Sequence, residues 1–298
     1  MSGPLLITGA AGYLGRRLLG LALADPRWER VVGTVHRTPL RAGESLPMDL
    51  ADPGSVQAGL DQLRPAAIIH AAAVTPARGG AISDRDFWAT NVAGSAAIAA
   101  WAAGQGARLV HVSSDAIWGG RDAAYTEQDV PAPITPYGAS KAAGEAVVQA
   151  LDPAAAIART SLIYGFDPPD PNTLMALELL DGRRSGMLFT DEFRCPGYVD
   201  DLARALLELA HTSAAGVFHL VGPQILSRYE LGAALVRWHG RDPGPLPAGT
   251  TSASGLRRPS RVVVANAATQ AQLTTVLRDI DMVMSQEVRY GAHSGVYR

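Results

Sequence analysis

The stretch PLLITGAAGYLG, residues 4–15, decides the reading of this chain. Residues 4–8 are apolar and end in threonine, which reads as a buried strand, and 13–23 read as the helix that follows. Between them Gly9, Gly12 and Gly15 form a GxxGxxG turn. Glycines there permit a tight turn and close approach of the backbone, so that the helix N-terminus can face a pyrophosphate. A glycine-rich turn alone is a weak signal; a strand before it and a helix after it strengthen it. Gly9, Ala11, Gly12, Tyr13 and Leu14 are the first candidate contacts of a dinucleotide.

Outward from this turn, short apolar runs alternate with alanine-rich helical stretches as far as residue 165. RVVGTV (30–35), AAIIHA (66–71), RLVHVS (108–113) and AIARTS (156–161) read as further strands. Residues 53–63, 87–104 and 137–151 read as helices. Such alternation predicts parallel strands joined by right-handed crossovers, an α/β fold with a Rossmann-type doubly wound sheet. After residue 165 the rhythm breaks at FDPPDPN (166–172). Residues 198–211 read as a helix entered through Asp200 and Asp201, which suit its positive end. VFHLV (217–221) is placed to return a strand to the sheet, and 228–239 reads as a helix before a Gly/Pro/Ser/Thr-rich linker at 240–255. The expected organisation is a cofactor domain, 1–165 with 197–222 returning to it. A smaller substrate lobe is expected from 166–196 and 223–298, ending in a loose tail, GAHSGVYR (291–298).

Composition narrows the function classes. A formal net charge of −2 argues against a nucleic-acid binder, which would show a basic face. The alanine-rich stretches fall well short of the roughly 20 residues needed to span a bilayer. The single cysteine, Cys195, cannot form an internal disulfide, and the first residues lack the basic segment of a signal peptide. A cytoplasmic enzyme is expected. Seven histidines show no ligand-like spacing, so no metal is expected. Lys plus Arg total 26, and 25 of these are arginines; Lys141 is the sole lysine. A lysine standing against that bias points to a task for a compact ammonium that a guanidinium fork cannot perform, although survival at a neutral site would look the same.

Tyr137 and Lys141 lie four apart in YGASK, hence on one face of a helix that Thr135 and Pro136 suit as a start. A nearby ammonium favours tyrosinate and brings the phenol into a range useful for proton transfer. Ser114, in HVSSD at the carboxyl edge of a strand, can hold a substrate carbonyl for that phenol. The end of the second strand, Val35–His36–Arg37–Thr38, carries no carboxylate to take both ribose hydroxyls. Arg37 can pair with a 2′-phosphate, so NADP(H) is favoured over NAD(H), with a solvated surface arginine as the alternative. Asp49 in MDLAD can bond an adenine amino group or simply close a capping turn. Ala71, Ala72 and Ala73 leave room for a ligand or reflect close packing. His36, Leu50, Asn91 and Ser113 complete the candidate cofactor contacts, together with Tyr137 and Lys141.

These motifs together resemble the extended short-chain dehydrogenase/reductase superfamily. They include TGAAGYLG, Asp49–Leu50, HAAAVT (70–75), TNVAG (90–94), HVSSD, YGASKAAGE, RTSLIYG (159–165) and PGYVDDLARAL (196–206). The pattern is most similar to the dTDP-4-dehydrorhamnose reductase group. That resemblance implies Ser114, Tyr137 and Lys141 as the triad, Asn91 as support for the active-site helix, and hydride transfer from NADPH to the 4-keto carbon of a nucleotide-linked deoxysugar. It further implies a homodimer through the helices of Phe87 and Tyr137. Ala116 and Leu162 stand where the group usually has aromatics near the sugar, and Trp118 is the candidate to fill that space. The stretch after Leu277 departs from the group's usual ending. Two alternatives stay open. One is an NAD-dependent epimerase or dehydratase, with Asp115 as an additional acid/base group. The other is a regulatory subunit that binds the cofactor without turnover, as the regulatory subunit of methionine adenosyltransferase resembles the same group.

Overall fold

The computed structural model describes residues 3–76, 82–255 and 258–291. Its first strand, β1 (Leu5–Thr8), is buried at every position and leads through the glycine turn into α1 (Tyr13–Leu23). Then come β2 (Val31–Val35), β3 (Glu44–Pro47), α2 (Pro53–Leu63) and β4 (Ala67–His70). The chain continues through α3 (Asp84–Phe87), α4 (Ser95–Gln105), β5 (Arg108–Ser114), α5 (Pro136–Leu151) and β6 (Ala156–Thr160). A last long strand, β7 (Gly216–Leu220), lies against β6. The seven form one parallel sheet in the order β7-β6-β5-β4-β1-β2-β3. This is the doubly wound α/β fold expected from the alternation. The order reverses between β1 and β4, which opens a crevice at their carboxyl ends.

The sheet is covered on both faces. On one, α1 and the helix α7 (Val199–Ala210) pack with Leu14, Leu18, Leu202 and Leu206 against Leu5, Ile7 and Val110. On the other, Leu60, Ile98, Ala99 and Val148 of α2, α4 and α5 pack against Leu6, Ile68 and Ile157. The alternation of neighbouring strand residues between the two cores follows from the two-residue period of a strand. A smaller cluster, including Ala176, Leu179, Leu188, Val236 and Leu246, lies between α6 (Pro171–Leu180) and α8 (Arg228–Trp238).

Several elements differ from the sequence reading for physical reasons. β3 is a polar edge strand with only Leu46 buried, so no apolar run announces it. The single helix expected over 87–104 is α3 and α4 joined by a π-helical segment, Trp88–Gly94. Its start is fixed by a capping box in which Ser83 and Asp86 bond each other's backbone. The linker at 240–255 contains a two-residue strand, Ala248–Gly249, that pairs with Leu188–Phe189, and a short helix, Thr251–Ser254. The acidic start of α7 does more than suit a helix dipole: Asp200 is ion-paired with Arg17, and buried Asp201 with Arg278. A terminal helix, Ile280–Gly291, occupies part of the stretch read as atypical, and 292–298 of the expected tail lie outside the described residues. Among the described residues no helix is long and apolar enough to cross a membrane.

Candidate active site

The glycine turn is shaped by contacts no side chain could share. Gly9 has φ +71°, and a Cβ there would lie 2.8 Å from the backbone of Ala72. A Cβ on Gly15 would come within 2.0 Å of the Gly9 carbonyl oxygen, so helix and turn could not close as they do. Gly12 is different: it is exposed, donates its N–H to the Gly9 carbonyl at 2.9 Å, and begins α1 with no side-chain cap. The uncapped N–H groups of the first turn therefore point past a residue without a side chain, an arrangement that fits a phosphate. Ala11 is partly exposed beside it, whereas the side chain of Leu14 is buried in the core and only its backbone can serve a ligand. The Tyr13 hydroxyl lies 2.4 Å from where a Cβ on Gly165 would be.

At the end of β2, His36 and Arg37 are exposed, and His36 Nε2 lies 3.7 Å from an Asp49 carboxylate oxygen. Arg37 is close enough to Asp86 at the start of α3 to help hold that carboxyl below its usual range, after hydrogen bonds from Ser83. Asp49 accepts the Ala51 N–H at 2.9 Å, which closes the turn, while the N-cap of α2 is Asp52. Leu50 is buried, so it too can offer a ligand only backbone. Ala71, Ala72 and Ala73 are half-buried along the chain leaving β4, across the glycine turn. These surroundings fit a dinucleotide.

A directional chain of hydrogen bonds joins this turn to α5. Ala72 N–H donates to Thr8 Oγ1 at 3.1 Å, and Thr8 Oγ1 lies 2.7 Å from His70 Nδ1. Ser95 Oγ donates to the Asn91 carbonyl at 2.8 Å, so its contact at 3.0 Å with His70 Nε2 must be received. His70 therefore carries its proton on Nε2 and accepts from Thr8 on Nδ1. Burial pushes its pKa down to about 3, with Lys141 adding to the effect, which keeps it neutral. Asn91, in the π-helical segment, accepts the Val74 N–H at 2.9 Å and donates to the Val74 carbonyl and to Ser140 Oγ, both at 3.0 Å. Ser140 passes the bond on to the Tyr137 carbonyl at 2.8 Å. Asn91 is thus spent on holding 74 and the start of α5. The sequence reading named Asn91 but missed Thr8, His70, Ser95 and Ser140; polar residues closing apolar strands, as Thr8 and His70 do, were the available signal.

Tyr137 and Lys141 occupy one face of α5, whose N-cap Thr135 accepts from Gly138 N–H. Tyr137 is half-buried, its ring 5.9 Å from that of Phe87, and its phenol is near enough to Ser114 for the serine to act on its ionisation. Burial pushes the phenol up to about 12, partly offset by Ser114. The direction is opposite to the one expected from a neighbouring ammonium, because burial outweighs the charges around the phenol. Lys141 Nζ donates to the Val112 carbonyl at 2.8 Å, and the residue is 2% exposed. Burial pulls the Lys141 pKa down to about 8, with Glu145 opposing. Ser114 is half-buried and accepts Ala116 N–H at 3.2 Å, whereas Ser113, next to it on β5, points into the sheet at 2% exposure.

One further expectation is corrected. Trp118 does not fill a space at the crevice: it is fully buried, stacked on Tyr125 at 4.5 Å and edge-on to His219 at 5.5 Å. Asp115 is buried beside Ser114, whose Oγ donates to it at 3.4 Å; it also accepts from Ser161 Oγ at 2.6 Å and lies 3.6 Å from Arg194 Nε. Its carboxylate belongs to a buried ion network in which Glu192 also meets Arg194, Arg228 and Arg258.

The glycine turn at the switch of strand order, with a Ser/Tyr/Lys set at the carboxyl edge of β5, defines an extended short-chain dehydrogenase/reductase. Within that class the chain belongs to the family described as the RmlD substrate binding domain, whose model matches residues 3–288. It is 32% identical to a dTDP-4-keto-6-deoxy-D-glucose reductase of Streptomyces niveus over 279 residues, 91% of this chain and 92% of that protein. It is similar as well to methionine adenosyltransferase 2 subunit beta of Xenopus tropicalis, 32% identical over 241 residues, 77% of this chain and 70% of that one. A solved dTDP-4-dehydrorhamnose reductase of Bacillus anthracis, in complex with NADP, covers 97% of this chain and 100% of its own at 25% identity. Its TM-score is 0.81.

Proposed function

We propose that this chain is an NADPH-dependent reductase of a keto group on a nucleotide-linked deoxysugar, a 4-ketoreductase like the relatives named above. The observation that carries the reading is the placing of the Tyr137 phenol beside Ser114 at the carboxyl edge of β5, with Lys141 one turn further along α5. The cofactor would be held by the α1 N-terminus past Gly12, by Arg37 at its adenosine phosphate, and by Lys141 and Tyr137 at its nicotinamide end; bound there, it supplies the hydride. Ser114 orients the substrate carbonyl. Tyr137 donates its proton to the carbonyl oxygen, and with a phenol pushed up to about 12 that proton is in place throughout the neutral range. Lys141, buried and charged below about pH 8, stabilises the negative charge that develops there.

The same proposal assigns substrate recognition to 166–196 and 223–298, whose separate apolar cluster between α6 and α8 gives that lobe its own packing. It includes a homodimer through the helices that carry Phe87 and Tyr137. The similarity to methionine adenosyltransferase 2 subunit beta favours a second reading, a partner protein that binds the cofactor without turnover. The epimerase reading keeps Asp115 as its extra group, 3.4 Å from Ser114 Oγ and with its carboxyl raised by burial. Oxidation of NADPH with a dTDP-4-keto-6-deoxysugar separates these: turnover supports the reductase, and binding with no turnover supports the partner protein. For cofactor choice, Arg37→Ala is expected to weaken NADPH binding by about 10- to 100-fold while changing NADH binding less than about twofold, because a charge-assisted phosphate contact contributes about 1.5–3 kcal/mol. Equal losses for both cofactors, measured by titration, would remove Arg37 from the phosphate site.

A further inference from the structure

Glu145 and Arg159 stand inside two of the motifs that mark the family, YGASKAAGE and RTSLIYG, yet the chemistry above uses neither. Their side chains are 3% and 4% exposed. Arg159 Nε donates to both Glu145 oxygens at 3.1 and 3.2 Å, and Nη2 to one at 2.9 Å. Arg159 lies on β6 directly beside Ser113 of β5, and its guanidinium is further held 5.0 Å over Trp118. Glu145 lies one helical turn beyond Lys141 on α5, the spacing at which a carboxylate and an ammonium meet.

The groups around Lys141 make that spacing consequential. Tyr137 and Glu145 share its helix, His70 faces it from β4 and His111 from β5, and Arg159 stands behind Glu145 on β6. Both histidines are buried, and burial holds them neutral. Among the described residues Glu145 is therefore the anion positioned to capture the ammonium, and in a buried setting that attraction is far stronger than in water. The structure gives Glu145 to Arg159 instead, and Lys141 spends one of its three donors on the Val112 carbonyl. We propose that Arg159 is a positioning residue for the reaction: by engaging Glu145 it keeps that carboxylate off Lys141 and leaves the remaining ammonium donors to the crevice. The inference rests on the role given to Lys141 above.

Lys141 is the chain's only lysine, so the full-length protein grown with 13Cε-lysine shows one lysine side-chain signal, which titrates without substrate or turnover. Arg159→Met is expected to raise the midpoint of that titration by about one pH unit or more, because Glu145 then turns to Lys141. Glu145→Gln is expected to lower it, and the double variant to return close to the parent. Shifts of the same sign in both single variants, or no shift in either, overturn the proposal. Should Arg159→Met fail to fold, Glu145→Gln decides alone, and an unmoved midpoint overturns it. Opposed shifts in a protein that reduces no sugar substrate would uphold this charge arrangement and overturn the reductase reading.

Discussion

Tyr137→Phe is expected to lower kcat by about three orders of magnitude while changing the affinity for NADPH less than about threefold. The phenol lies beside Ser114, and its removal deletes the donor without opening the site. The ring stays, so its contact with Phe87 and the packing of α5 persist. Ser114 keeps its bond from Ala116 N–H, which leaves β5 undisturbed. Binding and chemistry are thereby separated: cofactor titration reads the first, single-turnover rates the second. A variant retaining more than about a tenth of the parent rate would exclude Tyr137 as the proton donor.

Lys141→Arg is expected to lose at least about a hundredfold in kcat although the charge is conserved. The ammonium sits at 2% exposure between β5 and α5, bonded to the Val112 carbonyl and flanked by His70 and His111. A guanidinium is larger and planar, and overfilling a packed interior costs about 1–3 kcal/mol. The pH profile adds a second reading. Burial lowers the folded pKa of Lys141 to about 8, so the parent holds its ammonium below that pH and loses it above. Activity should therefore fall as pH rises through about 8. An arginine does not deprotonate in this range, so the residual activity of the variant should lack that limb. An unchanged limb near pH 8 in Lys141→Arg would assign the titration to another group.

What the sequence made legible was local. The glycine turn, the apolar strands β1, β4 and β6, and the start of α5 at Thr135–Pro136 each carry their signal within about ten residues. Lys141 could be singled out by composition alone. The partners of buried polar groups were not legible, because they are brought together by strand register. Thr8 meets His70 across 62 residues, and Asn91 meets Ser140 across 49. Trp118 shows the same limit from the other side: its place in the sequence beside Ser114 suggested the crevice, whereas the chain turns it under Arg159 and His219. The phenol's upward shift belongs here too, since it depends on burial. Polar edge strand β3 lacked an apolar pattern because one of its four residues is buried.

The most direct measurement follows the hydride itself. The protein is incubated with NADPH deuterated at the transferable position and a dTDP-4-keto-6-deoxysugar, and the sugar product is read by mass and proton spectra. The account predicts one deuterium at C4 of a reduced sugar, formed in proportion to NADP+ and abolished in Tyr137→Phe. Tight NADPH binding with no deuterium in any sugar product would contradict it.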